Sequence, residues 1–349
     1  MQIMSGDWLA KMELPNLVAW FGAIVLTAVP LVNSGPYHRT TDSYYNSNRF
    51  FQFGKDPQNR IYNFYQHGPN QSEKLIENNE VWPEGTTGSS MSQDSFSYRE
   101  EDDFGPSNWG ALNATCEGMY QSPVNLIANR SSIVHRKRPL ELQGSGNIPI
   151  SMVVENEGGV AAFFPQFRKD DQPILQGGPL RGDFRFYQFH YHLGSEHTFD
   201  RKRYSTEMHL VFYNGLYGSF KAARDQANGV AVIALVFEVL KSGRIESLNK
   251  WTQFLNEVAE AGSEYSIPRH KLFSVGHVLG DIRWPYFAYE GSLTTPPCSE
   301  TVQWIVASER RPLTRSELKA MRALKGRGGD WVQTARPVQA LNFRRVFIY

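Results

Sequence analysis

The sequence predicts a mainly β protein with minor α content, and three observations carry that reading. From about Phe96 onward, short apolar runs recur between Gly, Pro and Asn breakers, as strands do. Residues 148–154, 184–190 and 230–237 are the clearest, and the last is apolar throughout, which suits a strand buried on both faces. Hydrophobic content of 41% over 349 residues is enough for one large core with extensions. Only two segments read as helical, 245–261 and 314–324; in the second, Thr314 can cap and Glu317 completes a capping box.

Taken in order, the chain begins with a targeting pattern. Lys11 precedes an uncharged apolar run over 17–32, followed by small or permissive residues. That run falls short of the roughly 20 residues a spanning helix needs. Residues 1–34 are therefore read as a cleaved signal peptide, with an uncleaved signal anchor as the alternative. Residues 35–95 are rich in Tyr, Asn, Ser and Arg, show no sustained period, and read as a flexible polar extension. Residues 96–349 form the folded domain. The expected location is secreted or extracellular, or membrane-anchored facing the lumen or outside if the anchor is kept. A membrane is a partner only in that second case.

Composition excludes one class of partner. The formal net charge of +1 gives no electrostatic reason to expect nucleic acid. The oligomeric state is not readable. Behind a signal peptide, the only two cysteines, Cys116 and Cys298, suggest one disulfide. Sequons at Asn70, Asn113 and Asn129 give weaker support to the same route, as N-glycosylation acceptors.

The chemistry concentrates between positions 190 and 209, which hold four of the nine histidines. His190 and His192 are two apart on a predicted strand, so both imidazoles project from one face. The segment 205–213 reads as a second strand, and folded back antiparallel it brings His209 beside them. Three neutral imidazoles from two rigid strands make a site for zinc with a fourth position open. Gln188 and Glu207 each lie two residues before a histidine, on its own face, where they can orient a ligand and fix its tautomer. Downstream, Thr294-Thr295-Pro296-Pro297 reads as a rigid, irregular loop able to hold hydroxyls in place.

These words and their order resemble the α-class carbonic anhydrases over roughly 96–349. The motifs are Tyr120-Gln-Ser-Pro-Val-Asn125, Gly177-Gly-Pro-Leu180, Gln188-Phe-His-Tyr-His192, Gly194-Ser-Glu-His-Thr198, Glu207-Met-His-Leu-Val211, Gly291-Ser-Leu-Thr-Thr-Pro-Pro297 and Gln303-Trp-Ile-Val306. The resemblance implies a single large twisted, mostly antiparallel sheet with a central conical zinc cavity. It implies zinc on His190, His192 and His209, with Thr294 as gatekeeper hydroxyl and Glu196 as its carboxylate partner. Thr295 would help hold bicarbonate, and Val211, Val232, Leu293, Val302 and Trp304 would form the apolar wall for carbon dioxide. The implied reaction is reversible hydration of carbon dioxide to bicarbonate and a proton, by attack of zinc-bound hydroxide.

One departure bears on rate. The family's fast members carry a histidine proton shuttle where this chain has Gly159. A working but slower hydratase is expected, unless another wall residue relays the proton; Tyr98 and Glu157 are the candidates. The alternative is a catalytically weak or silent relative acting as a binding module, although such relatives typically lose a zinc histidine and this chain keeps all three.

Overall fold

The structure is a computed structural model that describes residues 96–349 apart from 136–137 and 241–248. The segments read as signal peptide and extension, with Asn70, lie outside the described residues.

Among the described residues, fourteen strands follow in chain order. The first seven are β1 (Asn125–Leu126), β2 (Ser132–Ile133), β3 (Leu140–Gln143), β4 (Ser151–Asn156), β5 (Ala161–Gln166), β6 (Ile174–Gly177) and β7 (Phe184–Leu193). The rest are β8 (Thr198–Phe199), β9 (Thr206–Asn214), β10 (Val230–Val239), β11 (Glu264–Ser266), β12 (Tyr286–Gly291), β13 (Val302–Leu313) and β14 (Phe347–Ile348). Twelve join one sheet in the order β11-β4-β5-β7-β9-β10-β13-β12-β14-β2, with β6 pairing β7 and β3 pairing β6. Pairing is mostly antiparallel, as expected; β10 with β13 and β14 with β2 are the parallel exceptions in that sheet.

The central strands are buried on both faces, and alternation sorts their side chains into two cores. On β10, Ala231, Ile233, Leu235 and Phe237 enter one core, while Val230, Val232, Ala234 and Val236 enter the other. This is why 230–237 has no polar face to show. On β7, Phe189, Tyr191 and Leu193 enter the first core. Phe189 stacks on Phe163 of β5 with centroids 4.5 Å apart. The intervening residues, Gln188, His190 and His192, are thus turned to the opposite face. The first core acts as a rigid backing, and the opposite face is where the chemistry is held.

The two helical segments fared differently. Arg315–Met321 is an α-helix with Thr314 at its N-cap and the Glu317 capping box closed. The segment read as 245–261 is instead a 3₁₀ helix, Lys250–Val258, and 245–248 lie outside the described residues. Thr252 bonds back to the Asn249 carbonyl through both its N–H and its hydroxyl, which tightens the first turn. Among the described residues no helix is long and apolar enough to cross a membrane.

Cys116 and Cys298 form the disulfide, 182 residues apart in sequence. It packs with Trp109 beneath Phe96, Tyr98 and Leu112, and so pins the N-terminal segment to the loop that carries Thr294 and Thr295. Closing so long a loop removes chain entropy from the unfolded state. Cys116→Ser should therefore cost about 2–5 kcal/mol, read as a fall in the guanidinium unfolding midpoint.

Candidate metal centre

Strand register assembles the site. His190 on β7 stands directly opposite His209 on β9, and His192 stands opposite Glu207. His190 Nε2 lies 3.1 Å from His192 Nε2, which lies 3.2 Å from His209 Nδ1. Nitrogens bound to one zinc at ~2.0–2.1 Å in a tetrahedron sit about 3.4 Å apart, so this spacing fits a single ion. His192 and His209 are buried and His190 is half-buried, so the cluster is approached from the His190 side.

Each ring has an acceptor behind it. His190 Nδ1 donates to Gln188 Oε1 at 2.9 Å, and His209 Nε2 donates to Glu207 Oε1 at 2.8 Å. His192 Nδ1 donates to the Thr334 carbonyl at 2.6 Å. These bonds place the protons on the outer nitrogens and leave three lone pairs facing one point. Burial lowers the pKa of His190 and His192, with neighbouring imidazoles adding to the effect, so both favour the neutral, ligating form.

Glu207 is the most heavily used acceptor. Its Oε1 also takes the His197 Nδ1 proton at 2.6 Å, and its Oε2 takes the His197 backbone N–H at 2.8 Å. Burial pushes this carboxyl up, but the charge and hydrogen bonds of His197 and His209 outweigh it and hold it below the usual carboxylate range. His197 Nε2 in turn meets the Tyr289 hydroxyl at 2.7 Å, which lies 3.0 Å from Ser122 Oγ. An ionised carboxylate buried behind His209 suits a cation in front of the imidazoles.

Glu196 is also fully buried. Its Oε1 accepts the Arg336 backbone N–H at 2.8 Å, while Oε2 has no hydrogen-bond partner and lies 3.5 Å from His192 Nε2. The Thr294 hydroxyl, buried on the disulfide-anchored loop, does not close the expected bond to it. An orphaned acceptor beside the imidazoles is a polar group the pocket has yet to satisfy.

The apolar residues singled out in the sequence share the second core. Val211, Val232, Val302 and Trp304 are buried there, with half-buried Leu293 against them. Trp304 lies edge-on to His209 with centroids 4.9 Å apart. Thr295 is half-buried at the loop tip, its carbonyl taken by the Cys298 N–H.

The sequence missed several supports. The Thr334 carbonyl is main chain and leaves no sequence signal, whereas Arg336 sits in an unremarked C-terminal run. His197, Ser122 and Tyr289 lay in or beside the motifs already singled out, and only their mutual contact was hidden. Asn113 uses its side chain to accept the Thr115 N–H, and Asn129 is exposed.

A family model described as eukaryotic-type carbonic anhydrase matches residues 104–349. Carbonic anhydrase 7 of Homo sapiens is 33% identical over 263 residues, covering 72% of this chain and 96% of that protein. The Mus musculus carbonic anhydrase 7 gives the same identity and coverage. Carbonic anhydrase 3 of Homo sapiens is 28% identical over 254 residues, covering 69% and 94%.

Glutamine at 207 would offer one accepting oxygen where three N–H groups now converge. Glu207→Gln should weaken zinc binding about 10–100-fold, measured by competition with a chromogenic chelator. His192→Ala should abolish stoichiometric zinc.

Proposed function

The chain belongs to the eukaryotic-type carbonic anhydrase family, a family of zinc-dependent carbonate dehydratases, and on that premise we propose that it is an active, proton-export-limited hydratase. The observation that carries this reading is the convergence of three imidazole nitrogens, each with its own acceptor behind it. Zinc held there would make a water molecule ionise near neutral pH and attack carbon dioxide.

The remaining work falls to side chains of this chain. The wall of Val211, Val232, Val302, Trp304 and Leu293 offers an uncharged gas a desolvated berth and no hydrogen bond to hold it. Glu196 Oε2 is an open acceptor, and the Thr294 hydroxyl is the donor we assign to it. Thr294 would then have only its lone pairs left for the reacting oxygen, which fixes that oxygen's orientation. Thr295, at the same loop tip, would help hold bicarbonate.

Proton export sets the pace. With no histidine at Gly159, and unless another wall residue relays the proton, an acid of pKa near 7 loses protons to water at roughly 10³–10⁴ s⁻¹, against about 10⁶ s⁻¹ for the fastest zinc hydratases. The disulfide supports an oxidising compartment, and we place the enzyme outside the cytosol on that ground.

Purified protein should carry one zinc per chain and hydrate carbon dioxide, with inhibition by a metal-binding sulfonamide. Stopped-flow turnover should climb with added imidazole. One zinc without activity would favour a binding module, and turnover near the upper limit with no buffer response would overturn the rate-limiting step.

A further inference from the structure

The position expected to hold a shuttle is closed. Gly159 has φ +104, where a side chain is strained, and a Cβ there would stand 3.0 Å from Val332 Cγ1 and 3.4 Å from Thr334 Cγ2. A larger residue would be aimed into the segment that supplies the acceptor for His192. The proton released at the metal therefore needs another carrier.

Register shows where one stands. Glu155 on β4 pairs with Ala162 on β5, Ala162 with His190, and His190 with His209. Directly opposed residues share a face, so Glu155 lies on the metal-bearing face about 10 Å of sheet from His190. Ala162 between them is small and buried. Glu157, two residues on, continues that line into the β4–β5 turn.

Glu157 also lines a cavity of about 270 Å³ with Tyr98, Gly158, Arg327 and Val332, room for several waters at roughly 30 Å³ each. Tyr98 bridges this cavity to the site, its ring centroid 6.5 Å from that of His192.

We propose that Glu157, backed by Glu155, relays the proton from the histidine pocket to solvent through water. This rests on the hydratase reading above. The transfer balances simply: each turnover converts water and carbon dioxide to bicarbonate and one proton, the carboxylate accepts that proton, and bulk water or buffer removes it.

The surroundings favour the role. Crowding by protein, with Glu155 adding to it against Arg327, pushes Glu157 up to about 7, although the residue still reaches solvent. Burial with Glu264 beside it raises Glu155 as well. The other groups facing the pair are Tyr98, whose buried phenol is raised well above its ordinary value, and Tyr187 on β7. Arg99 and Asp330 pair at 3.6 Å across the cavity, near Asp102. Only an ionised carboxylate accepts a proton, so kcat should fall as pH drops below about 7.

The test compares zinc-loaded wild type with Glu157→Gln and the Glu155→Gln/Glu157→Gln double variant in weak buffer. Glu157→Gln should lower kcat about ten-fold or more while kcat/KM holds, flatten the pH profile of kcat, and regain turnover with imidazole. Isotope-edited infrared titration should show the Glu157 carboxyl ionising near neutrality, with or without zinc. Gly159→His should not raise kcat. An active wild type whose variants keep its kcat and buffer response overturns the relay alone, as does a Glu157 carboxyl ionising in the ordinary range. A zinc-loaded wild type with no hydration overturns the hydratase reading and the relay with it.

Discussion

Everything in this domain depends on aiming three imidazole lone pairs at one point. A histidine ring can present either nitrogen, and rotation about χ2 costs little unless the far nitrogen is held. Here a side-chain amide, a main-chain carbonyl and a buried carboxylate each hold one ring. Two rings present Nε2 and the third, His209 on the neighbouring strand, presents Nδ1. Glu207 then ties the arrangement to His197, Tyr289 and Ser122, so a ligand's orientation is fixed by residues on four separate segments.

The sheet makes such precision affordable by dividing its labour between faces. Alternate residues of β7, β9 and β10 drive into an aromatic-rich core, and a shift of one residue in register would exchange that core for the histidines. Large apolar side chains thereby specify where the polar ones go. At Gly194 the chain leaves β7 with φ +79, in a place where a Cβ would meet Gln333 Nε2 at 2.6 Å. That glycine lets the 333–336 segment lie against the end of β7, and from there Thr334 and Arg336 reach His192 and Glu196.

What the sequence revealed, and what it hid, follows from the range of each interaction. His190, His192 and Gln188 were legible because period-two alternation is a local rule, and His209 with Glu207 because a second strand repeats the offset. The β character of 230–237 was legible from composition alone. The 3₁₀ geometry of Lys250–Val258 was not, since it turns on where Thr252 sends its hydrogen bonds. The Thr334 carbonyl was invisible because every residue has one. The orphaned Glu196 Oε2 was hidden for a different reason: the motif names both expected partners of a bond without saying whether it forms.

Gly159 couples the support of a ligand to the shape of the cavity wall. Read as a letter, it is a missing histidine and hence a loss. In three dimensions it is a left-handed turn residue whose Cβ direction is filled by Val332 and Thr334, and Thr334 is the acceptor that orients His192. The same close approach that supports a ligand therefore denies a side chain to the cavity wall at that point. A site that needs both the acceptor and a proton carrier must put the carrier elsewhere on the metal face. The β4–β5 hairpin offers the nearest such ground, because cross-strand pairing carries that face outward through Ala162 to Glu155 and the turn beyond. Glu157 in that turn, pushed up to about 7 by crowding, is what a relay at neutral pH requires.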